Sequence, residues 1–428
     1  MTVRGLACAL AAAVGAGLGL PAAASAAEGD YVVVLRDTAE TDAVVGSLER
    51  AQGFRASQRY DAAIRGFAVH LSDAQRERVL SNPAVASVVA DTPVQGTGFT
   101  PVAAKETVPT GVRRIGAATT TQAHTPSDVG VAVIDTGLDL GSADLNATSG
   151  VNCVTPGTPA QDDNGHGTHI GGTIAGRNTG TGVVGVAPGT RLYAVKVLNA
   201  KASGSLSGLL CGIDWVTRNA GALGLRVVNM SISGPGSNDG DCGRTNGDVL
   251  HQAICGSVAA GISYVVSAGN SGVDLASVVP ASYPEVLTVT AATDTDGLPG
   301  GKGPVPCDKA QRDDTPWSSS NYAVTPGDVA HVVAAPGVCV VSTKPKIGTV
   351  TMTGTSMAAP HVAGAVALCH GSGGSAGPCA GLTPAQTIDR IRSDAQVAAA
   401  TAGFTGDPLR PRPWSRTPSR SPAAAGRR

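Results

Sequence analysis

The spacing of apolar positions changes three times along the chain. Over residues 28 to about 100, short apolar runs alternate with amphipathic stretches. Tyr31-Val32-Val33-Val34-Leu35 reads as a strand, residues 40–52 as a helix, 64–71 as a strand, 72–80 as a helix opened by Ser72-Asp73, and 84–89 as a strand. The order reads as β-α-β-β-α-β with Arg59-Tyr60 near the middle, which suggests a split-βαβ module of ferredoxin-like α+β type. Residues 91–108 are rich in Pro, Gly and Thr and read as a linker.

From 112 to about 396 the apolar runs become continuous. Strands are expected at 129–134, 192–197, 227–232, 262–266 and 286–289, and helices at 167–175, 206–219, 248–260, 357–368 and 384–392. In 248–260, Leu250, Ile254 and Val258 share one face at four-residue spacing. Strands without polar alternation are buried on both faces. The expectation is therefore α/β: three layers, a mostly parallel sheet with helices on both sides. After Phe404 the chain turns to Pro and Ser carrying Arg410, Arg412, Arg416, Arg420, Arg427 and Arg428, the composition of a disordered tail.

The first residues read as a signal peptide. Arg4 precedes an apolar run over 5–20, and Ala24-Ser25-Ala26 is a small-residue cleavage site. The run is interrupted by Gly and falls short of the ~20 residues that span a bilayer. The expected boundaries are 1–26, 27–104, 105–400 and 401–428.

Composition narrows the function. The formal net charge is −1, which gives no strong pull on nucleic acid or an anionic membrane. The chain has 57 Gly against 4 Phe and 4 Met, suiting a core of small aliphatic side chains with many tight loops. Once Cys8 leaves with the signal, eight cysteines remain. An even count behind a signal peptide implies disulfides, and without a C-x-x-C pair zinc is set aside. Spacing does not fix the connectivity; sequential pairing, 153–211, 242–255, 307–339 and 369–379, is the expectation.

Three blocks carry chemistry. Val133-Ile134-Asp135-Thr136-Gly137 sets a carboxylate at the C-terminal end of a buried strand, where open α/β sheets build their sites. Asn164-Gly165-His166-Gly167-Thr168-His169 opens one helix, and Gly354-Thr355-Ser356-Met357-Ala358-Ala359-Pro360 opens another. Nucleophilic acyl transfer needs a hydroxyl, an imidazole to take its proton, a carboxylate to orient the imidazole, and donors for the oxyanion. Ser356 at a helix N-terminus has free N–H groups beside it, and Ser267-Ala268-Gly269-Asn270 ends a strand with an amide side chain.

These blocks, with Asn229-Met230-Ser231, occur in the order Asp, His, Ser and together resemble the subtilases, the subtilisin- and proteinase K-like serine proteases. The resemblance spans about residues 112–396, and residues 28–91 resemble the family's inhibitory propeptide. It implies Ser356 as nucleophile, His166 as general base then acid, Asp135 as its orienting partner, and Asn270 with the Ser356 N–H as oxyanion hole. It implies that an extended peptide pairs with Ser231-Ile232-Ser233 and with Ser203-Gly204, that Ala268 and Gly269 wall the main specificity pocket, and that Leu206 borders a more distant one. Ser233 departs from the family, which usually carries Gly there. The implied protein is a secreted, broadly specific endopeptidase with an apolar or aromatic preference. It is made as a self-processing zymogen, cut between Asp91 and Thr107, and acts as a monomer. It needs no cofactor for chemistry; its partners are polypeptide substrates and its own propeptide, which in relatives also assists folding. Relatives often bind calcium. Near one ligand aspartate of proteinase K-type relatives this chain has His331, across an insertion, so structural calcium is left unassigned.

The competing readings are an inactive subtilase fold that only captures peptides and an esterase on another α/β fold. The esterase rests on Gly373-Gly374-Ser375-Ala376-Gly377, a G-x-S-x-G match that no buried strand precedes. Gly180, Gly182 and Gly185 match a dinucleotide fingerprint, but the strand follows it, so a turn is expected. His169 and His361 are read as packing residues, and Asp162 and Asp163 as a solvated loop with cation binding as the alternative.

Overall fold

A computed structural model describes residues 28–36, 38–61, 64–91, 99–346 and 348–402. The expected signal peptide and the Arg-rich stretch beyond Ala402 lie outside the described residues. The chain divides into two compact units, residues 1–95 and 96–428.

In the first unit, strands β1 (Glu28–Leu35), β2 (Ala56–Tyr60), β3 (Gly66–Ser72) and β4 (Val85–Ala90) form an antiparallel sheet in the order β2-β3-β1-β4. Helices α1 (Thr41–Gln52) and α2 (Asp73–Leu80) complete the β-α-β-β-α-β order. Ser72 and Gln75 form a reciprocal capping box that starts α2. The core gathers Val33, Leu35, Val45, Leu48, Phe54, Phe67, Leu71 and Val79.

The second unit is built on seven parallel strands: β5 (Gly130–Asp135), β6 (Asn146–Asn152), β7 (Arg191–Lys196), β8 (Leu225–Met230), β9 (Ser263–Ser267), β10 (Leu287–Thr293) and β11 (Val332–Val338). Their spatial order is β11-β10-β9-β8-β5-β7-β6, and every pairing is parallel. Helices α3 (His166–Ala175), α4 (Leu206–Leu223), α5 (Val249–Ala259), α6 (Thr355–His370) and α7 (Pro384–Ala402) cover it. Strand side chains alternate between faces. Val131 and Val133 meet Ile170, Ile174, Met357 and Val362 on one side. Ala132 and Ile134 meet Ile213, Val216 and Ile254 on the other.

Four expectations need correction. The supposed linker contains a strand, Phe99–Pro101, paired with Gln122–His124, and Thr107 bridges to Val183; residues 92–98 lie outside the described set. The run 227–232 leaves the sheet after Met230, so Ser231, Ile232 and Ser233 are outside a strand. Strands β6 and β11 were not expected; both are edges, where one polar run and one Pro are tolerated. Helices expected at 206–219, 357–368 and 384–392 run longer.

The four disulfides join Cys153–Cys211, Cys242–Cys255, Cys307–Cys339 and Cys369–Cys379, the sequential pattern. Among the described residues no helix is long and apolar enough to cross a membrane.

Candidate active site

Strand register gathers the site. At the carboxyl ends of neighbouring strands, Asp135 pairs with Lys196 across β5 and β7. Ile134 pairs with Met230 across β5 and β8, which sets Ser231 level with Asp135. Met230 pairs with Val266 across β8 and β9, so the loop from Ala268 to Asn270 follows at the same rim.

Asp135 is fully buried. Its Oδ1 accepts from His166 Nδ1 at 2.8 Å and from the Thr136 N–H at 2.7 Å. His166 opens α3, and the helix start is docked onto the Asp135 turn. Thr136 Oγ1 accepts from Gly167 N–H at 2.9 Å and donates to Asp162 Oδ1 at 2.9 Å. A side chain at position 167 is excluded, because a Cβ there would lie 2.1 Å from the Gly137 carbonyl oxygen.

Asp162 is not a solvated loop residue. It is buried, and its carboxylate accepts from Thr136 Oγ1, the Asn164, Gly165 and Thr168 N–H groups, and the Thr168 hydroxyl. That ties the carboxylate-bearing strand to the imidazole-bearing helix. Asp163 is half-exposed and pairs with the buried Lys196 ammonium at 2.6 Å, which also donates to the carbonyls of Thr136 and Leu198. Burial depresses the His166 pKa, but Asp135, by charge and hydrogen bond, and the charge of Asp162 outweigh it and hold the imidazole above the ordinary histidine value.

Ser356 is the second residue of α6, where a helix leaves its N–H without an intrahelical acceptor. Pro360 lies four residues on and has no N–H to give the Ser356 carbonyl. Ser231 Oγ donates to that carbonyl instead, at 3.1 Å, and itself accepts from Asn229 Nδ2 at 3.0 Å. The serine is thereby tied to the end of β8, beside Asp135. Its own hydroxyl donates to the Ser231 carbonyl at 3.5 Å rather than to His166. One link of the expected relay is therefore made and the other is not; such bonds commonly tighten only when substrate is bound.

Asn270 is oriented by Thr355. Its Oδ1 accepts from the Thr355 N–H at 2.9 Å and the Thr355 hydroxyl at 2.7 Å, and Thr355 Oγ1 accepts from the Gly269 N–H at 3.1 Å. With Oδ1 committed to a backbone donor, Nδ2 is the end left for a ligand. Ala268 is buried. Ser203 and Gly204 lie outside regular structure ahead of α4, with Ser203 hydrogen-bonded to Asn199. Leu206 begins α4 and is exposed.

His169 and His361 are buried, bonded to the carbonyls of Val340 and Met357, and burial pushes each pKa down to about 4. Ser375 sits in a hairpin, with Ser372 paired to it and Cys369–Cys379 close by. Gly180 and Gly182 adopt positive φ in a turn held by Glu106.

For calcium, His331 does not fit: it is buried, its pKa is lowered by burial, and Nδ1 lies 3.2 Å from the Val286 carbonyl oxygen. A hard cation takes oxygen ligands, and the imidazole offers only nitrogen there. Asp294, Asp296 and Asp313 each bring an oxygen within 4.8 Å of the others, but the Arg114 guanidinium stands 3.7 Å from Asp294 and already supplies positive charge. His251 and Glu285 approach Cys242 and Cys255, whose sulfurs are spent in a disulfide.

Residues 127–406 match the model described as the Subtilase family, and residues 26–96 the one described as Peptidase inhibitor I9. Subtilisin DY of Bacillus licheniformis is 37% identical over 267 residues, covering 61% of this chain and 84% of that protein. Subtilisin Savinase of Lederbergia lenta is 39% identical over 265 residues, with coverage of 61% and 84%. A subtilisin of Bacillus pumilus is 37% identical over 295 residues, covering 68% and 92%. Among solved structures, a cold adapted subtilisin-like serine proteinase superposes with TM-score 0.52 at 31% identity, covering 67% of this chain and 90% of that one.

Proposed function

From the premise that this chain belongs to the subtilase family, a subtilisin-type serine endopeptidase carrying an I9 propeptide, we propose that Ser356, His166, Asp135 and Asn270 perform the hydrolysis. Ser356 Oγ attacks the scissile carbonyl carbon while its proton passes to His166 Nε2. The carbonyl oxygen becomes an oxyanion, received by Asn270 Nδ2 and the Ser356 N–H. Collapse breaks the C–N bond, His166 returns the proton to the leaving amine, and an acyl-enzyme remains. Water, deprotonated by the same imidazole, releases the acid. Asp135 holds the tautomer with the proton on Nδ1 and balances the imidazolium.

The substrate is an extended polypeptide. Ser231-Ile232-Ser233 and Ser203-Gly204 lie outside regular structure and flank it as the segments to which it adds as a strand; the Ser203 N–H and carbonyl are bonded to Asn199 and must exchange that partner or leave the pairing to Gly204. Backbone pairing gives broad specificity, with apolar or aromatic residues favoured between the walls of Ala268 and Gly269 and a further contact at Leu206. The protein is secreted as a zymogen that cuts itself between Asp91 and Thr107 and then acts as a monomer. The signal-like first residues and four disulfides support export to an oxidising compartment.

The observation that carries this reading is the 2.8 Å bond from His166 Nδ1 to the buried Asp135, on the strand beside the one that ties Ser356. It also speaks against a merely peptide-capturing fold, which has no need of a buried carboxylate aimed at an imidazole. The test is labelling with a serine-directed phosphonate, with intact mass and N-terminal sequencing of the secreted protein beside its Ser356→Ala twin. Labelling at Ser356 and an uncut twin are expected; spontaneous maturation of Ser356→Ala would overturn self-processing.

A further inference from the structure

Asn321 lies in the polar stretch Ser318-Ser319-Ser320-Asn321, far along the chain from Asn270, and is 2% exposed. Its Nδ2 donates to the Ala268 carbonyl at 2.8 Å. Its Oδ1 accepts from the Ser271 N–H at 3.0 Å and the Val273 N–H at 3.1 Å. Its own N–H donates to the Gly269 carbonyl at 2.9 Å. One buried amide therefore holds the backbone before and after Asn270 while bonding neither the Asn270 side chain nor Ser356.

The loop needs such a clamp. Residues 268–273 belong to no helix or strand, and two of them, Gly269 and Gly272, adopt positive φ. Glycines in these conformations leave the backbone more freedom than any other residue would. The clamp sits tight against that backbone: a Cβ on Gly269 would lie 2.3 Å from Asn321 Nδ2. Thr355 fixes the tip of Asn270 through Oδ1, but a tip bond alone leaves the base of the side chain free to drift. An oxyanion donor contributes only if it waits where charge will develop, and a displacement on the order of 0.5 Å is enough to lose that advantage.

We infer that Asn321 is a positioning residue for the oxyanion donor, fixing the backbone from which Asn270 projects so that Nδ2 is set before the transition state forms. The inference rests on the reading of Asn270 as that donor. Asn321 acts through Asn270, so its effect belongs to kcat and disappears when Asn270 is gone.

The experiment is a double-mutant cycle on the matured enzyme with a soluble peptide anilide, concentrations set by phosphonate titration so that only folded sites count. Asn321→Ala removes the side-chain donor and acceptor of the clamp and leaves only its backbone bond to Gly269. Asn321→Asp keeps the acceptor for Ser271 and Val273 but turns the donor facing the Ala268 carbonyl into an oxygen, which keeps the test alive if the alanine variant folds poorly. Against the 10²–10³-fold scale for losing an oxyanion donor, kcat should fall about thirtyfold in Asn321→Ala and about tenfold in Asn321→Asp, with KM within about twofold. In an Asn270→Ala background, either change should cost no more than about twofold further. Full-sized losses in that background, or wild-type kcat in both Asn321 variants, would overturn the positioning role. An unimpaired Asn270→Ala enzyme would instead overturn the oxyanion reading beneath it, so the two failures are told apart.

Discussion

The imidazole side of the site and the serine side are held by different kinds of bond. Around His166 the anchors are ionic: Asp135 and Asp162 are buried carboxylates, and Lys196 is a buried ammonium pinning the same turn. Around Ser356 the anchors are neutral: the Ser231 and Thr355 hydroxyls, the Asn229, Asn270 and Asn321 amides, and backbone groups. The division follows the charge that forms during acyl transfer. In the proposed mechanism positive charge gathers on the imidazole, where carboxylates favour it, and negative charge gathers beside Asn270, where a carboxylate would oppose it. Each side is preset for the sign of charge it receives. The sides also differ in readiness, since the His166–Asp135 bond is short at 2.8 Å while the Ser356 hydroxyl is parked on a carbonyl at 3.5 Å.

The sharpest way to break this contrast is Asp135→Asn, which keeps shape and removes charge. The amide presents N–H groups to the imidazole and favours the wrong tautomer. We expect kcat to fall about 10⁴-fold, a scale known from other triad enzymes, subtilisin among them, with KM little changed. Steady-state kinetics on a peptide anilide checks it; a loss below tenfold would mean that charge on this side is dispensable.

Asp162→Asn tests the same side through stability. Five donors converge on the Asp162 carboxylate, and an amide leaves some of them facing N–H. Breaking a buried charged network in this way costs about 3 kcal/mol. Denaturant unfolding in a Ser356→Ala background, where self-digestion is absent, measures it. A cost under about 1 kcal/mol would place the anchoring elsewhere.

How much of this could be read from residues alone depended on whether a partner was local. The Asp135, His166 and Ser356 blocks were legible because each sits at the end of one continuous apolar run or the start of one helix. The parallel sheet was legible for the same reason, except at its edges. β6, Asn146-Ala147-Thr148-Ser149-Gly150-Val151-Asn152, is covered on fewer sides and carries no apolar run. β11 contains Pro336 and Gly337, which read as a break although an edge tolerates them. Asp162 was misread because its burial depends on Thr136, 26 positions away. Asn321 gave no signal at all, since its side-chain partners lie 48 to 53 positions away and its neighbours are serines typical of a loop. The role of Pro360 was legible in principle: a proline four residues after a helix-opening serine frees that serine's carbonyl.

The pH response separates the sides next. With His166 as the proposed base the neutral imidazole is the active form, and its pKa is raised above 6.5, so kcat/KM should climb with pH through a midpoint above 6.5 and hold into alkali. Asp162→Asn should lower that midpoint, because the lost charge favoured the imidazolium. Asn270→Ala should leave it in place. For stability the sign is opposite: a raised folded pKa means the protonated pair stabilises fully below the unfolded value of 6.5 and ceases to as pH rises through the folded pKa. Melting of the Ser356→Ala variant across that range follows it; a midpoint at or below 6.5 would contradict the carboxylate-held imidazole.

The smallest effect probes the serine side at Ser233, where the family resemblance leads us to expect Gly. Ser233 is exposed, and its Oγ lies 3.5 Å from where a Cβ on Gly269 would stand, so the hydroxymethyl group overhangs the wall proposed for the main pocket. In Ser233→Gly that overhang is gone, and a large ring before the scissile bond gains room that a small side chain does not need. One small group in an apolar pocket shifts preference by about tenfold at most. We expect kcat/KM for Phe or Tyr relative to Ala at that position to rise about threefold to tenfold, measured on matched peptide anilides. The change acts on a bound side chain and not on the imidazole, so the acid limb of the pH profile should stay where it was. If the ratio is unchanged, Ser233 does not border the pocket. If the acid limb moves with it, the two sides of the site are less independent than their bonding implies.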